Sequence, residues 1–315
     1  MGVAKGGTNS VAKAMIKNLE ANGGSVRNLS QVEKIIIENG EATGARLQDG
    51  TEIKASKAVV CGAGHWQLVF SLVDPADWET TDHPRAATFA PAIERFRPDE
   101  LAIFTTHLAL EEPPHWIGAD EKPEIDEAVC VFWGLENAQD CYSQVEDIRA
   151  GRLNKVRGGA ACTHTVADPS LNTNGKHSTF TWEMSVYDVE GDGQNWDRLE
   201  EEFGEGMITA WREYAPNHTE DNIIGRVHDS PLDLERRTPS MYKGSMAMGD
   251  VTPDQSGPFR PAPGWADYRT PVGNLYVSSG TCHPMGGIMG AAGRNCASVM
   301  FEDLGLKRWW PDFSA

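Results

Sequence analysis

The chain has 315 residues, 40% hydrophobic and 23% charged, which suits one large or two ordinary globular domains with room for a sizeable core. Its net charge of −18 excludes a surface made for nucleic acid or anionic membrane, because both need clustered Lys and Arg. No run approaches the roughly 18 apolar residues of a membrane span, and Lys5, Lys13 and Lys17 interrupt the first 20 residues where a signal peptide would be apolar, so no integral membrane segment and a cytoplasmic location are expected. Cys61, Cys130, Cys141, Cys162, Cys282 and Cys296 form no C-x-x-C pair and no metal-like grouping with the histidines; they read as reduced, mostly buried thiols, and no metal site is expected.

Thr8-Asn9-Ser10 are cap-forming types, and Val11, Met15, Ile16 and Leu19 then share one helical face until Asn22-Gly23-Gly24 stops it. Residues 25–29 read as a short strand, followed by the apolar Val32 and Ile35-Ile36-Ile37. The turn signals Asn39-Gly40 and Asp49-Gly50 set off 42–47 and 52–55, giving a β-meander that ends in the strand 58–60 and the small residues Cys61-Gly62-Ala63-Gly64. After Leu72 prolines punctuate a segment rich in Trp, Phe and Glu, which marks a different domain. Alternation predicts strands at 101–110 and 128–135 and an antiparallel pair at 160–166 and 178–186. Leu199, Phe203, Met207 and Trp211, four residues apart, predict an amphipathic helix over 197–214, suited to core packing or to a membrane or partner face; 223–229 reads as a strand.

Near the end, the apolar run 274–277 enters Ser278-Ser279-Gly280-Thr281-Cys282-His283-Pro284-Met285-Gly286-Gly287-Ile288-Met289-Gly290, and 296–305 has helical spacing. This is strand, glycine-rich turn and helix. Glycines let backbone approach a ligand closely, and the N–H groups opening a helix favour an electron-rich partner. The turn is either a cofactor cradle or a plain strand-to-helix connection.

The helix after Gly6-Gly7, the Val32-x-x-Ile35 pair, the Asp49-Gly50 meander and the Ala58-Val59-Val60 strand with its small-residue turn resemble the middle of the phytoene desaturase and retinol saturase family of FAD-dependent oxidoreductases. Residues 168–177 resemble that family's Asp-Pro-Ser-Leu-Ala-Pro-Pro-Gly-Lys-His turn, with Asn172, Thr173 and Asn174 replacing its small residue and prolines, and 255–304 carries the strongest match. The resemblance implies an α/β (α+β mixed) fold, the C-terminal part of a two-domain FAD-linked oxidoreductase. Residues 1–72 would be a partial FAD-binding domain, 73–260 a mainly antiparallel substrate-binding domain, and 261–315 the return to the FAD-binding domain. It implies FAD contacts at Val32, at Gly62 and Ala63, and at Gly280, Pro284, Gly286, Gly287, Ile288 and Gly290 against the ribityl chain and isoalloxazine ring. Met285 and Met289 stand where the family has a glycine and a proline.

By the same resemblance an apolar, isoprenoid-like substrate is dehydrogenated, saturated or isomerised by hydride transfer between its C–H and flavin N5, with a separate electron acceptor. An allylic-methyl-oxidising monoterpene dehydrogenase of the limonene type is the narrower version. Ten Trp, ten Phe and ten Met suit the lining of such a cavity as well as ordinary cores. His283, with Cys282 beside it, is the first candidate for handling a proton; a satisfied structural histidine is the other reading. Glu183, between Trp182 and Met184, is a candidate acid or cation stabiliser, or a solvated outward residue, and His65 is a candidate cap for the turn before it.

A Gly-x-Gly-x-x-Gly fingerprint, which seats the pyrophosphate in such folds, does not occur. The chain is then either a fragment or one subunit of a hetero-oligomer whose partner carries the fingerprint. Met1 and the clean helix start at Thr8 favour the split enzyme, expected to be poorly soluble and flavin-free alone. The alternative is a non-catalytic companion stabilising a flavoenzyme partner.

Overall fold

The computed structural model describes residues 4–172, 174–288 and 290–311; Met1, Thr173 and Met289, named above, lie outside them. In chain order the elements are α1 (Asn9–Ala21), β1 (Val32–Glu38), β2 (Glu41–Leu47), β3 (Glu52–Lys54), β4 (Val59–Cys61), α2 (His65–Gln67), α3 (Phe89–Glu94), β5 (Ala102–Leu110) and β6 (Cys130–Trp133). They continue with α4 (Ala138–Arg149), β7 (Gly159–Cys162), β8 (His177–Ser185), α5 (Trp196–Trp211), β9 (Ile223–Asp229), α6 (Pro231–Arg237), β10 (Leu275–Val277) and α7 (Ala291–Asp303). The mixed α/β class expected from the resemblance is the class observed. Two compact units form, Met1–Asn28 with Glu100–Leu234 and Leu29–Asp99 with Glu235–Ala315.

The first unit is built on an antiparallel sheet in the order β6-β7-β8-β5-β9. β5 and β8 pair along their whole length, from Ala102 opposite Ser185 to Leu110 opposite His177. Phe203, Met207 and Trp211 of α5 pack with Phe104, Leu108, Trp133 and Ala161 of the sheet, so the helix stripe faces a core. Each such fully buried apolar side chain contributes ~1.5–3 kcal/mol. α1 forms where its spacing predicts but buries none of its residues; Val11, Met15 and Leu19 stay exposed. The strand expected at 25–29 is a correction. Among the described residues no ladder reaches that segment, and an extended piece without a neighbour has no ladder bonds to hold it.

The second unit holds the meander β1-β2-β3 and a parallel pair, β4 with β10. Ala42 N–H donates to the Gly273 carbonyl at 2.8 Å, tying the meander to the approach to β10. The observed limits differ from the boundaries drawn at 72 and 260. Trp78, Phe89, Ile93 and Phe96 pack into one core with Trp66, Trp265 and Tyr276, and Phe96 stacks on Trp66 at 4.9 Å, so the proline-rich stretch belongs to this unit.

Candidate functional site

The parallel pair sets Leu275 opposite Val59, Tyr276 opposite Val60 and Val277 opposite Cys61. Both strands therefore end side by side, and the chain leaves each through a glycine turn, Gly62-Ala63-Gly64 from β4 and 278–290 from β10. Ser278 N–H donates to the Cys61 carbonyl at 2.9 Å, one bond past the ladder. The carboxyl ends of parallel strands are where α/β folds leave a crevice for ligands. His65 joins the two turns: its N–H donates to Thr281 Oγ1 at 3.2 Å, and its Nδ1 lies 2.7 Å from the same oxygen.

The floor under the second turn is polar and fixed. Arg260, 1% exposed, donates to the carbonyls of Gly280, Ala247 and Met248, each at 2.9 Å. Asp99 accepts from Ser245 Oγ and Ala247 N–H, both at 2.7 Å. Gly280 is required by packing, since a Cβ there would lie 2.7 Å from Met248 Sδ. At Gly62 and Gly290 a Cβ would meet nothing within 4 Å, so space is open over both turns. Gly62, Gly287, Ile288 and Gly290 are exposed, and Ala63, Pro284 and Gly286 half-buried. Gly290 caps α7 in the left-handed region with no side-chain bond to the helix's first N–H groups. Open glycine backbone with helix-opening donors fits an electron-rich, flat or anionic group.

The structure thus brings Gly62, Ala63, Gly280, Pro284, Gly286, Gly287, Ile288 and Gly290 to one end of one strand pair. Val32 opens β1, in the other sheet of the unit. Cys282 and His283 diverge. The Cys282 thiol is buried, donates to the Val277 carbonyl at 3.3 Å and is pushed up to about 12 by burial, which keeps it protonated. His283 is exposed and lines a depression of about 620 Å3 with Gly257, Pro258, Gly264, Ala266 and Asp267, while Tyr268 Oη–H donates to its carbonyl at 2.7 Å. Sequence reasoning missed the Arg260 and Asp99 anchors and gave His65 too small a part. No motif marks any of them, because each acts on atoms remote in sequence. His65 is held neutral, its pKa pushed down to about 3 by burial and by the Arg260 charge, and its Nε2 has no hydrogen-bond partner among the described residues.

Glu183 belongs to the first unit and is fully buried, which removes the solvated reading. Its Oε1 accepts from Asn154 Nδ2 at 2.9 Å and lies 3.4 Å from the Arg157 guanidinium; its Oε2 accepts from Gly158 N–H at 3.3 Å. The Arg157 guanidinium in turn sits 3.5 Å over the Phe203 ring. The thiols are less uniformly buried than expected: Cys130 and Cys141 are exposed, since β6 is an edge strand and α4 turns its Cys141 side to water. The sheet face away from the α5 core carries exposed apolar side chains beside the polar Thr105, His107 and Asp229. Register aligns Phe132, Ala160, Trp182 and Thr105 across four strands, and Phe132, Trp182, Met184 and Val227 are 81%, 41%, 36% and 58% exposed.

No family model matches the chain. It is 27% identical over 308 residues to pyridine nucleotide-disulfide oxidoreductase domain-containing protein 2 of Rattus norvegicus, covering 95% of this chain and 51% of the relative. It is 24% identical over 318 residues to one subunit of the limonene dehydrogenase of Castellaniella defragrans, covering 98% and 57%. To the neurosporene-forming phytoene desaturase of Cereibacter sphaeroides it is 24% identical over 296 residues, covering 92% and 51%. The chain resembles the desaturase-like oxidoreductases. Its fold is that of an oxidoreductase from Methanosarcina mazei, with a TM-score of 0.56 and 20% identity over 96% of this chain and 55% of that one. The chain spans about half the length of the curated relatives it matches. No helix among the described residues is long and apolar enough to cross a membrane.

Proposed function

We propose that this chain forms the ring-side part of an FAD-dependent oxidoreductase of the desaturase type, acting on an apolar, isoprenoid-like substrate together with a partner subunit that carries the Gly-x-Gly-x-x-Gly fingerprint. The observation that carries this reading is the pair of glycine turns at the carboxyl ends of β4 and β10, open over Gly62 and Gly290. Support comes from relatives named as a limonene dehydrogenase subunit and a phytoene desaturase. FAD supplies hydride exchange with a substrate C–H bond, and the protein holds and orients it. In this reading Gly62, Ala63 and the backbone of 280–288 with Gly290 form the cradle, Val32 adds a backbone contact, and the N–H groups opening α7 favour the cofactor's electron-rich edge. His283, exposed and next to the cradle, keeps the proton-handling assignment. Cys282 and Glu183 serve packing instead, one as a buried thiol and one as a buried carboxyl hydrogen-bonded to Asn154 and the Gly158 N–H. The exposed apolar side chains Phe132, Trp182, Met184 and Val227 suit contact with a hydrocarbon.

The test is co-purification with the fingerprint-bearing partner. Wild-type complex should show visible flavin absorbance. G62V adds a side chain into open space, at a backbone angle outside the left-handed region. It should leave assembly intact and weaken flavin binding at least roughly tenfold. Undiminished flavin in the G62V complex would remove the cradle. Isolated chain that folds as a monomer with stoichiometric flavin would remove the partner. Activity that survives disruption of 280–290 in a yellow complex would make this chain a companion rather than a contributor.

A further inference from the structure

A second cluster of functional side chains lies in the first unit, between α5 and β9. Glu201 and Glu205, one helical turn apart on α5, meet His228 of β9 with one ligand atom from each within 4.8 Å of the others. The helix comes this close because residue 204 is glycine: a Cβ there would lie 2.2 Å from His228 Nδ1. The His228 side chain is only 2% accessible. Its Nδ1 lies 3.0 Å from Thr106 Oγ1, itself fully buried. Its Nε2, also buried, lies 3.5 Å from Glu205 Oε1 and has no hydrogen-bond partner among the described residues. A buried imidazole nitrogen left without a partner costs free energy that a ligand would recover.

We propose that Glu201, Glu205 and His228 bind a divalent transition cation, Zn2+ being the best match, which bridges α5 to β9. One imidazole nitrogen and two carboxylates give the N/O donor set that Zn2+ accepts, whereas Mg2+ and Ca2+ prefer oxygen alone. With Nδ1–H donating to Thr106, Nε2 presents its lone pair to the cation, and the threonine fixes the ring. Arg226 Nη1 donates to Glu205 Oε2 at 2.9 Å and Oε1 at 3.1 Å, which orients that carboxylate beside the imidazole while leaving further lone pairs on it. Glu201 is exposed, so a fourth position opens to solvent.

The experiment uses the full chain, with its partner if that is needed for solubility, stripped of metal with a chelator and titrated with Zn2+ by calorimetry. One equivalent should bind, and the thermal midpoint should rise on saturation. E201Q, at an exposed position where the fold does not depend on the carboxylate, should weaken Zn2+ at least roughly tenfold. E205Q should do the same, and E202Q, an exposed neighbour outside the cluster, should leave affinity unchanged. Absence of saturable Zn2+ binding, or equal affinity in wild type and E201Q, overturns the proposal.

Discussion

The carboxyl of Glu183 has its pKa raised from 4.5 to about 7 by burial, against the opposing pull of Arg157, Asn154 and the Gly158 N–H. The native state therefore holds this proton more tightly than the unfolded chain does. Its contribution to stability is complete below pH 4.5 and is lost as pH rises through about 7. Denaturant unfolding of wild type and E183Q between pH 4 and 8 should show the wild type losing up to roughly 3 kcal/mol relative to the variant across that window. A constant difference would show that the carboxylate is not the titrating group. Read from its neighbours in the chain, Glu183 is a reactive acid or a solvated one; it is not solvated, because it is buried among partners from the loop at 154–158. Alternation along β8 reports only that every second residue points inward; it says nothing about which of those are charged and paired. The Cys282-His283 dipeptide likewise looks like one site in sequence and is two environments in the fold.

Elements whose periodicity matches their burial were legible. The meander, β5, β8, β9 and α5 all lie within a few residues of their expected limits, since alternation or four-residue spacing reflects the face each turns to the core. Residues 73–99 were not, because proline-rich composition suggests a new domain while Trp78, Phe89 and Phe96 in it complete an existing core. The α5–β9 cluster was also invisible: Glu201 and Glu205 one turn apart read as a solvated helix face, and only Gly204 permits the approach to His228. That approach makes G204A informative. The added methyl would overlap the His228 ring, and overpacking of this kind costs roughly 1–3 kcal/mol. The loss should appear in thermal unfolding, and stability equal to wild type would mean that helix and strand are not held at this spacing.

For the whole molecule, two buried histidines add to its acid sensitivity. His65 in one unit and His218 in the other are held neutral, their pKa values pushed down from 6.5 to about 3 and about 4, mainly by burial. The unfolded chain takes up these protons more readily, so the contribution is complete above pH 6.5 and lost as pH falls through about 4 and then about 3. Acid unfolding of the first unit should move to lower pH in H218Q. Tryptophan fluorescence can follow it, since His218 lies 4.5 Å from the Trp211 ring. An unshifted acid transition would place the sensitivity elsewhere.

The β4–β10 pair joins strands separated by roughly 200 residues, and closing so long a loop is entropically costly before its contacts repay it. On a ribosome, β4 emerges before the antiparallel sheet of the first unit and β10 only after all of that sheet has been made. The two glycine turns therefore come together only after β10 has been made. Any ligand that needs both turns is held only once β10 has joined β4, and a nascent polypeptide stalled before residue 275 has only half a place to bind it.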